Sequence, residues 1–429
     1  MIKMKDSGIE WLGLIPSHWK IIRGKNLLNV QNRNVDENTE VITCFRDGEV
    51  TLRSKRREEG YTFSDKEIGY QGIYEGDLVI HGMDGFAGAI GISDSYGKGS
   101  PILIVCTAKL NTNNLRFIMY YLRTLAMQKV FLALATGIRE RSCDLRWKKI
   151  ANLSFIVPPL AEQKKIADFL DKKCSAIDSA VDAAKKLAEK LREYKKSLIT
   201  ETVTKGLNPS AEMKDSGIEW LGLIPSHWKI CRTLYILSMP ITDGPHETPE
   251  LYGEGVPFVS AEAVSCGNGK IDFNHIRGYI SQEYYQECCK KYIPKKNDVY
   301  MIKSGATTGK VAVVDTDKIF TIWSPLAVFR ANEKFHYKYL FYFLQSDAYQ
   351  KQVELNWSYG TQQNIGMRVL EKLKIFFPSL AEQKKIADFL DKKCAAIDES
   401  ICRREKLIEK LREYKKSLMY EVVTGKLEV

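Results

Sequence analysis

Two short stretches hold the side chains best suited to recognition chemistry. After Gly137 the chain reads Ile138-Arg139-Glu140-Arg141-Ser142, with Arg146, Lys148 and Lys149 close behind. After Gly360 it reads Thr361-Gln362-Gln363-Asn364. Arg, Asn and Gln carry paired donors and acceptors that match base edges, Arg to guanine and Asn or Gln to adenine, whereas Lys, Arg and hydroxyls suit phosphate oxygens. The same letters also describe an ordinary polar loop opening a strand. Arg53, Lys55, Arg56 and Arg57 form the densest basic run. Glu58 and Glu59 follow it, which fits a solvated charged loop as well as a phosphate contact. Lys290-Lys291 with Lys295-Lys296 is a similar case, and Lys303 and His81 follow two strand-like runs.

Catalytic signatures are missing. Gly305-Ala306-Thr307-Thr308-Gly309-Lys310-Val311 comes nearest to a phosphate loop, but it is one residue short of the required spacing and lacks the final hydroxyl. A turn between strands explains it better. There is no G-x-S-x-G and no H-E-x-x-H, and the six histidines are scattered. The ten cysteines include no C-x-x-C pair, so reduced, mostly buried thiols are expected and no metal site is supported. No catalytic residue is assigned.

The 429 residues allow two to four domains. Apolar content of 44% and charged content of 27% are those of soluble globular proteins. No apolar run is long enough to cross a bilayer and the start of the chain lacks a signal-peptide core, so a cytoplasmic protein without membrane contact is expected. The net charge of +11 suits a polyanionic partner without proving one.

The elements that must position these side chains are announced by internal repeats. MKDSGIEWLGLIPSHWK at 4–20 returns at 213–229. LAEQKKIADFLDKKC at 160–174 returns at 380–394, and EKLREYKKSL at 189–198 returns at 409–418. Between them lie two variable regions, 21–157 and 230–377, with a weaker correspondence. Asp77-Leu78-Val79-Ile80 matches Asp298-Val299-Tyr300-Met301, and Gly88 and Gly309 stand at equal distances beyond. Ser100-Pro101 matches Ser324-Pro325. The two regions are therefore expected to share one fold and differ on its surface.

Each repeated long segment reads as one helix. The stripe recurs at steps of three and four: Ile166, Leu170, Cys174, Ile177, Val181, Ala184, Leu187 and Leu191 in the first, and Ile386, Leu390, Cys394, Ile397, Ile401, the polar Arg404, Leu407 and Leu411 in the second. Pro158 and Pro378 precede them, and Gly206 and Gly425 follow as stops. About 45 residues at 1.5 Å rise make roughly 65 Å of helix. So narrow a seam wants a helical partner, and the other copy is the obvious one. The order of segments makes the pair antiparallel. The expected fold class is α+β: two globular heads separated by a long antiparallel two-helix coiled coil, in a pseudo-twofold repeat. The helix-pairing residues are then Ile166, Leu170, Ile177, Val181, Leu187, Leu191, Ile386, Leu390, Ile397, Ile401, Leu407 and Leu411. The expected divisions are a packing segment at 1–20 beside the C-terminal helix, a first head at 21–157, the first helix and linker at 158–212, the repeated packing segment at 213–229, a second head at 230–377 and the second helix at 378–429. Trp11, Leu14, Ile15 and Trp19 should pack where the short segment meets the helices, and His18 and His227 are read as structural.

This alternation, with SGIEWLGLIPSHWK and the pair PPLAEQKKIADFLDKK and PSLAEQKKIADFLDKK, resembles the specificity subunit of type I restriction–modification systems over essentially the whole chain. The resemblance implies that the heads are target recognition domains, each reading one half of a bipartite double-stranded DNA sequence. It implies that the helices set the gap and dock two methyltransferase subunits. It also implies a non-catalytic chain without cofactor: S-adenosylmethionine, ATP and Mg belong to partner subunits, and the assembled complex, with restriction subunits, is an adenine-N6 methyltransferase and ATP-dependent endonuclease. The chain itself has neither a glycine-rich cofactor loop nor an N/D-P-P-Y/F motif. On this resemblance the candidate DNA-binding residues are Arg139, Arg141, Ser142, Arg146, Lys148, Gln362, Gln363 and Asn364, with Arg53, Arg56 and Arg57 added. The alternative is a coiled-coil interaction adaptor that binds no DNA.

Overall fold

The computed structural model describes residues 3–36, 38–56, 68–133, 145–218, 220–359 and 363–429. It divides into two units, residues 1–185 with 406–429, and residues 186–405.

In the first unit an antiparallel sheet forms from strands β2 (Leu28–Gln31), β3 (Leu78–His81), β4 (Ile90–Ile92) and β5 (Leu103–Ala108), in the order β2-β5-β3-β4. Leu78, Val79 and Ile80 are buried together, as a run of aliphatic side chains covered on both faces must be. Strand β1 (Lys20–Arg23) pairs with β6 (Ser154–Val157), so the variable region begins and ends on one two-stranded ribbon. Helix α1 (Leu115–Met127) lies against this core, with Asn114 capping it by accepting from the Phe117 amide.

The second unit repeats the plan. Strand β7 (Lys229–Arg232) pairs with β11 (Lys374–Phe377). Strands β8 (Val299–Ile302), β9 (Val311–Val313) and β10 (Leu326–Phe329) form a sheet in the order β9-β8-β10. Helix α3 (Tyr337–Gln345) takes the place of α1, and α2 (Gln282–Lys291) has no counterpart among the described residues of the first unit. The repeated motif Asp-x-x-x thus marks equivalent central strands in both units.

The long segments are single helices, Leu160–Lys205 and Leu380–Val423. Each opens on a buried glutamine. Gln163 donates to the Pro158 carbonyl at 2.8 Å and accepts from the Asn114 amide at 2.8 Å. Gln383 donates to the Pro378 carbonyl at 3.0 Å and accepts from the His336 amide at 2.8 Å. The first helix ends on Gly206 and the second is followed by Gly425, at φ of 76° and 71°, where a Cβ would be strained.

Within each unit the two long helices run antiparallel. In the first, Ile166, Leu170, Cys174, Ile177 and Val181 share a core with Leu418, Met419, Val422 and Val423, and Lys415 reaches Asp178 at 2.6 Å. In the second, Ile199 and Val203 share a core with Ile386, Leu390 and Cys394. There Lys195 pairs with Asp398 at 2.7 Å and Arg192 with Glu405 at 2.5 Å. Ile397 and Ile401 are buried, while Leu191 and Leu411 are half-buried.

Two expected seam residues sit elsewhere. Leu187 and Leu407 are 43% and 48% exposed, and Ala188 and Ile408 are buried instead. A step of four from Ala184 and from Arg404 keeps the stripe on the partner's side; a step of three carries it outward, because neighbouring helical positions lie about 100° apart.

The duplicated short segments pack as expected in part. Trp19 meets Phe117 edge-on and Trp228 meets Tyr339, both indoles buried. His18 and His227 lie 2.9 and 3.0 Å from Glu162 and Glu382, and the indole N–H groups donate to the same carboxylates. Leu14, expected inside, is 55% exposed: strand alternation turns it outward and Ile15 inward.

Candidate nucleic-acid interface

In the second unit the candidate stretch Gln363-Asn364 is one arm of a small hairpin. Ser358–Tyr359 pairs with Gln363–Asn364, with Ser358 opposite Asn364. Gln363 and Asn364 are exposed. Three backbone contacts seat them on the turn after β8: the Gly305 amide donates to the Gln363 carbonyl at 3.0 Å, Ser304 bridges Asn364, and the Ile365 amide donates to the Lys303 carbonyl at 2.9 Å. The turn is the former phosphate-loop mimic. Its Gly305 amide is engaged by Gln363 and its Gly309 amide by Ile302, so neither points at a free anion. Gly309, at φ of 92°, has a left-handed backbone in which a Cβ would be strained.

The first unit holds the equivalent joint. The Leu145 amide donates to the Gly82 carbonyl at 2.8 Å, as Ile365 does to Lys303. Arg146 and Lys148 follow at the start of a short helix, Trp147–Asn152, and both are exposed. His81 Nδ1 accepts from the Asp84 amide at 3.0 Å and so shapes the turn 82–88. Burial pushes the His81 imidazole below its ordinary pKa, against the pull of the Asp84 carboxylate. Arg46, 69% exposed, is held by Asp84 at 2.8 Å beside this turn; no repeat or run marked it in the sequence.

The basic run has another role. Arg53 donates from Nε to Thr43 at 3.3 Å. Arg56 grips Asp47 and Glu49 and lies 4.2 Å above the Phe45 ring. Hydrogen bonding from Arg56 holds the Asp47 carboxyl below its usual range. Arg56 therefore closes the 45–49 turn rather than standing open for a phosphate. Arg57, Arg139, Arg141, Ser142 and Gln362 lie outside the described residues.

A charged cluster missed from the sequence lies beside β8. Asp243 has a fully buried side chain. Lys291 donates to its Oδ1, while Lys303 and His246 approach its Oδ2 at 3.3 and 3.0 Å. Burial alone would raise the Asp243 pKa, but Lys291 and Lys303 bring it below the ordinary value. The two lysines stand 48 and 60 positions away in sequence, so no local pattern could reveal them as partners.

Among the described residues no group of His, Cys, Asp and Glu is placed to hold a metal ion, and no helix is long and apolar enough to cross a membrane. Among solved structures, the chain resembles one determined in work on complex assembly and conformational transition of the type I R-M system. The TM-score is 0.70 and the identity 17%, over 96% of this chain and 99% of that one. The HsdS subunit from Thermoanaerobacter tengcongensis matches with a TM-score of 0.53 and 17% identity, over 96% and 98%. In sequence it is 26% identical to the type I restriction enzyme MjaVIII specificity subunit of Methanocaldococcus jannaschii, covering 97% of this chain and 94% of that protein. The family model described as the type I restriction modification DNA specificity domain matches residues 17–187 and 250–410. With the first variable region, residues 250–377 of the second and most of both long helices inside that match, the chain belongs to the type I restriction–modification DNA specificity family.

Proposed function

We propose that this DNA specificity subunit reads one half of a bipartite target with each recognition domain, through the segments seated on the turns 82–88 and 303–309. The observation that supports this division is the pairing of sameness and difference. Each unit repeats the Trp–Glu, Tyr–Asp and buried-glutamine contacts of its frame, Tyr120 to Asp171 and Tyr342 to Asp391 among them. Past the equivalent joints at Leu145 and Ile365, however, one unit presents Arg146-Trp147-Lys148 and the other Gly366-Met367-Arg368, with exposed Gln363-Asn364 just ahead of Ile365. A common frame with different readout letters is what two different half-sites require.

The repeated outer faces of the helices, with Lys164, Lys165, Lys172 and Lys173 matched by Lys384, Lys385, Lys392 and Lys393, suit two copies of one methyltransferase. In this reading the methyltransferase subunits bring S-adenosylmethionine and methylate adenine, and restriction subunits bring ATP- and Mg-dependent cleavage. The helices hold the half-sites about one DNA turn, roughly 34–36 Å, apart. Membership of the family does not favour the adaptor that binds no DNA.

The test is a domain exchange. Replacing residues 21–157 by another recognition domain of the family, and sequencing the methylome of cells that carry the complex, should alter one half of the modified motif. Change in both halves, or in neither, refutes the division.

A further inference from the structure

We propose that the cluster around Asp243 is a phosphodiester clamp of the second recognition domain, with Lys291 as the contact and Asp243 as the residue that positions it. The proposal rests on the DNA-recognition reading and adds to it a particular backbone contact.

The charge count within the cluster comes first. One fully buried carboxylate faces two ammonium groups, Lys291 and Lys303, and the His246 imidazole. The carboxylate cannot neutralise both lysines, and a buried charge that lacks its counter-ion is costly. The nearby acids do not supply it: Glu287 pairs with Lys290, and Glu247 accepts from the Tyr284 hydroxyl at 3.0 Å. Exposure gives the direction. Lys303 is 11% exposed, whereas Lys291 is 47% and His246 69%, so the excess positive charge opens outward through Lys291.

The cluster is also rigid. A Cβ on Gly244 would meet the Ile322 carbonyl at 1.9 Å, so the turn carrying Asp243 admits only glycine there. Lys291 donates a second bond to the Gly244 carbonyl at 3.2 Å, which fixes the ammonium group. Finally, the Lys303 backbone carries the Ile365 amide, next to exposed Gln363 and Asn364. Lys303 thus ties the cluster to the hairpin by its backbone while its ammonium group shares Asp243 with Lys291, so a phosphate held at Lys291 belongs to the half-site that the hairpin serves.

The experiment measures binding of the full chain, in complex with its methyltransferase, to two labelled duplexes across a salt series. One duplex carries the modified motif and the other a scrambled sequence. Wild-type binding that weakens with salt and favours the motif establishes the underlying reading; without it, that reading fails whatever the variants do. Given it, Lys291→Gln should lower the magnitude of the slope of log affinity against log salt by about 0.9, equally on both duplexes. Lys291→Arg should restore the slope, and Asp243→Asn should reduce it without altering sequence preference. An unchanged slope in Lys291→Gln overturns the proposal, as does a loss confined to the motif duplex, which would mark a base reader. Competition by inorganic phosphate at constant ionic strength, abolished by Lys291→Gln, would assign the clamp to free phosphate and overturn it too. Lys291 is half exposed and Lys303 remains beside Asp243, so Lys291→Gln keeps the fold testable.

Discussion

Asp298 shows how much a single side chain can carry when it is buried and shared. It is 1% exposed, receives Arg330 through two bonds of 2.7 Å, accepts from the Lys295 amide at 2.8 Å and takes the Tyr292 hydroxyl. Asp298→Asn keeps the shape but leaves the guanidinium without its counter-charge. Removing one partner of a buried pair costs about 3–5 kcal/mol. The expected outcome is a loss of about 3 kcal/mol in urea denaturation, with the change in midpoint read by tyrosine and tryptophan fluorescence. A second expectation concerns the thiols. Burial pushes Cys44 and Cys106 up to about 12, so at pH 8 their reactive thiolate is scarce. Cys266 and Cys402 are exposed. Maleimide labelling at pH 8, followed by peptide mapping, should find Cys266 and Cys402 modified in the native protein, and Cys44 and Cys106 only after denaturation.

The long helices test the rule of steps of three and four at its ambiguous points. Leu187 and Ala188 both continue the stripe in sequence, and packing selects the smaller one. Leu187→Ser should therefore change stability by no more than about 0.5 kcal/mol, as at other exposed positions. Ile408→Ala should cost about 2–4 kcal/mol through lost burial and the cavity left behind. Thermal melting of the two variants compares them directly. The antiparallel pairing has its own check at Lys195 and Asp398, whose side chains are 20% and 31% exposed. Lys195→Asp alone sets two carboxylates together and should lower the melting temperature. Adding Asp398→Lys should recover about 0.5–1 kcal/mol, the coupling expected of a partly exposed pair. A parallel or unpaired arrangement predicts no recovery.

For the molecule as a whole, the proposed division of the target between two domains makes the gap between half-sites depend on helix length. Inserting about seven residues at matched positions of both long helices adds two turns, about 10 Å, or roughly three base pairs at 3.4 Å per step. The modified motif should keep both half-sites and lengthen its gap. Methylome sequencing reads the outcome, and retention of the original gap would refute the role of the helices as a spacer.

The sequence by itself determined the repeat, the two long helices and their stops, because these rest on period, proline and glycine, which act within a few residues. It marked the strand-like runs after Asp77 and Asp298 through their match between the two variable regions, while their central place in each sheet came only with the fold. It also marked Gln363 and Asn364, since their side-chain chemistry suits bases wherever the backbone places them. Only the tertiary structure decided that Arg56 closes its own turn against Asp47 and Glu49. Only it decided that the helix seam passes through Ala188 and Ile408, and that Asp243 gathers Lys291 and Lys303 from 48 and 60 residues away. Those outcomes depend on which groups burial forces together over long chain separations, and no local periodicity encodes that.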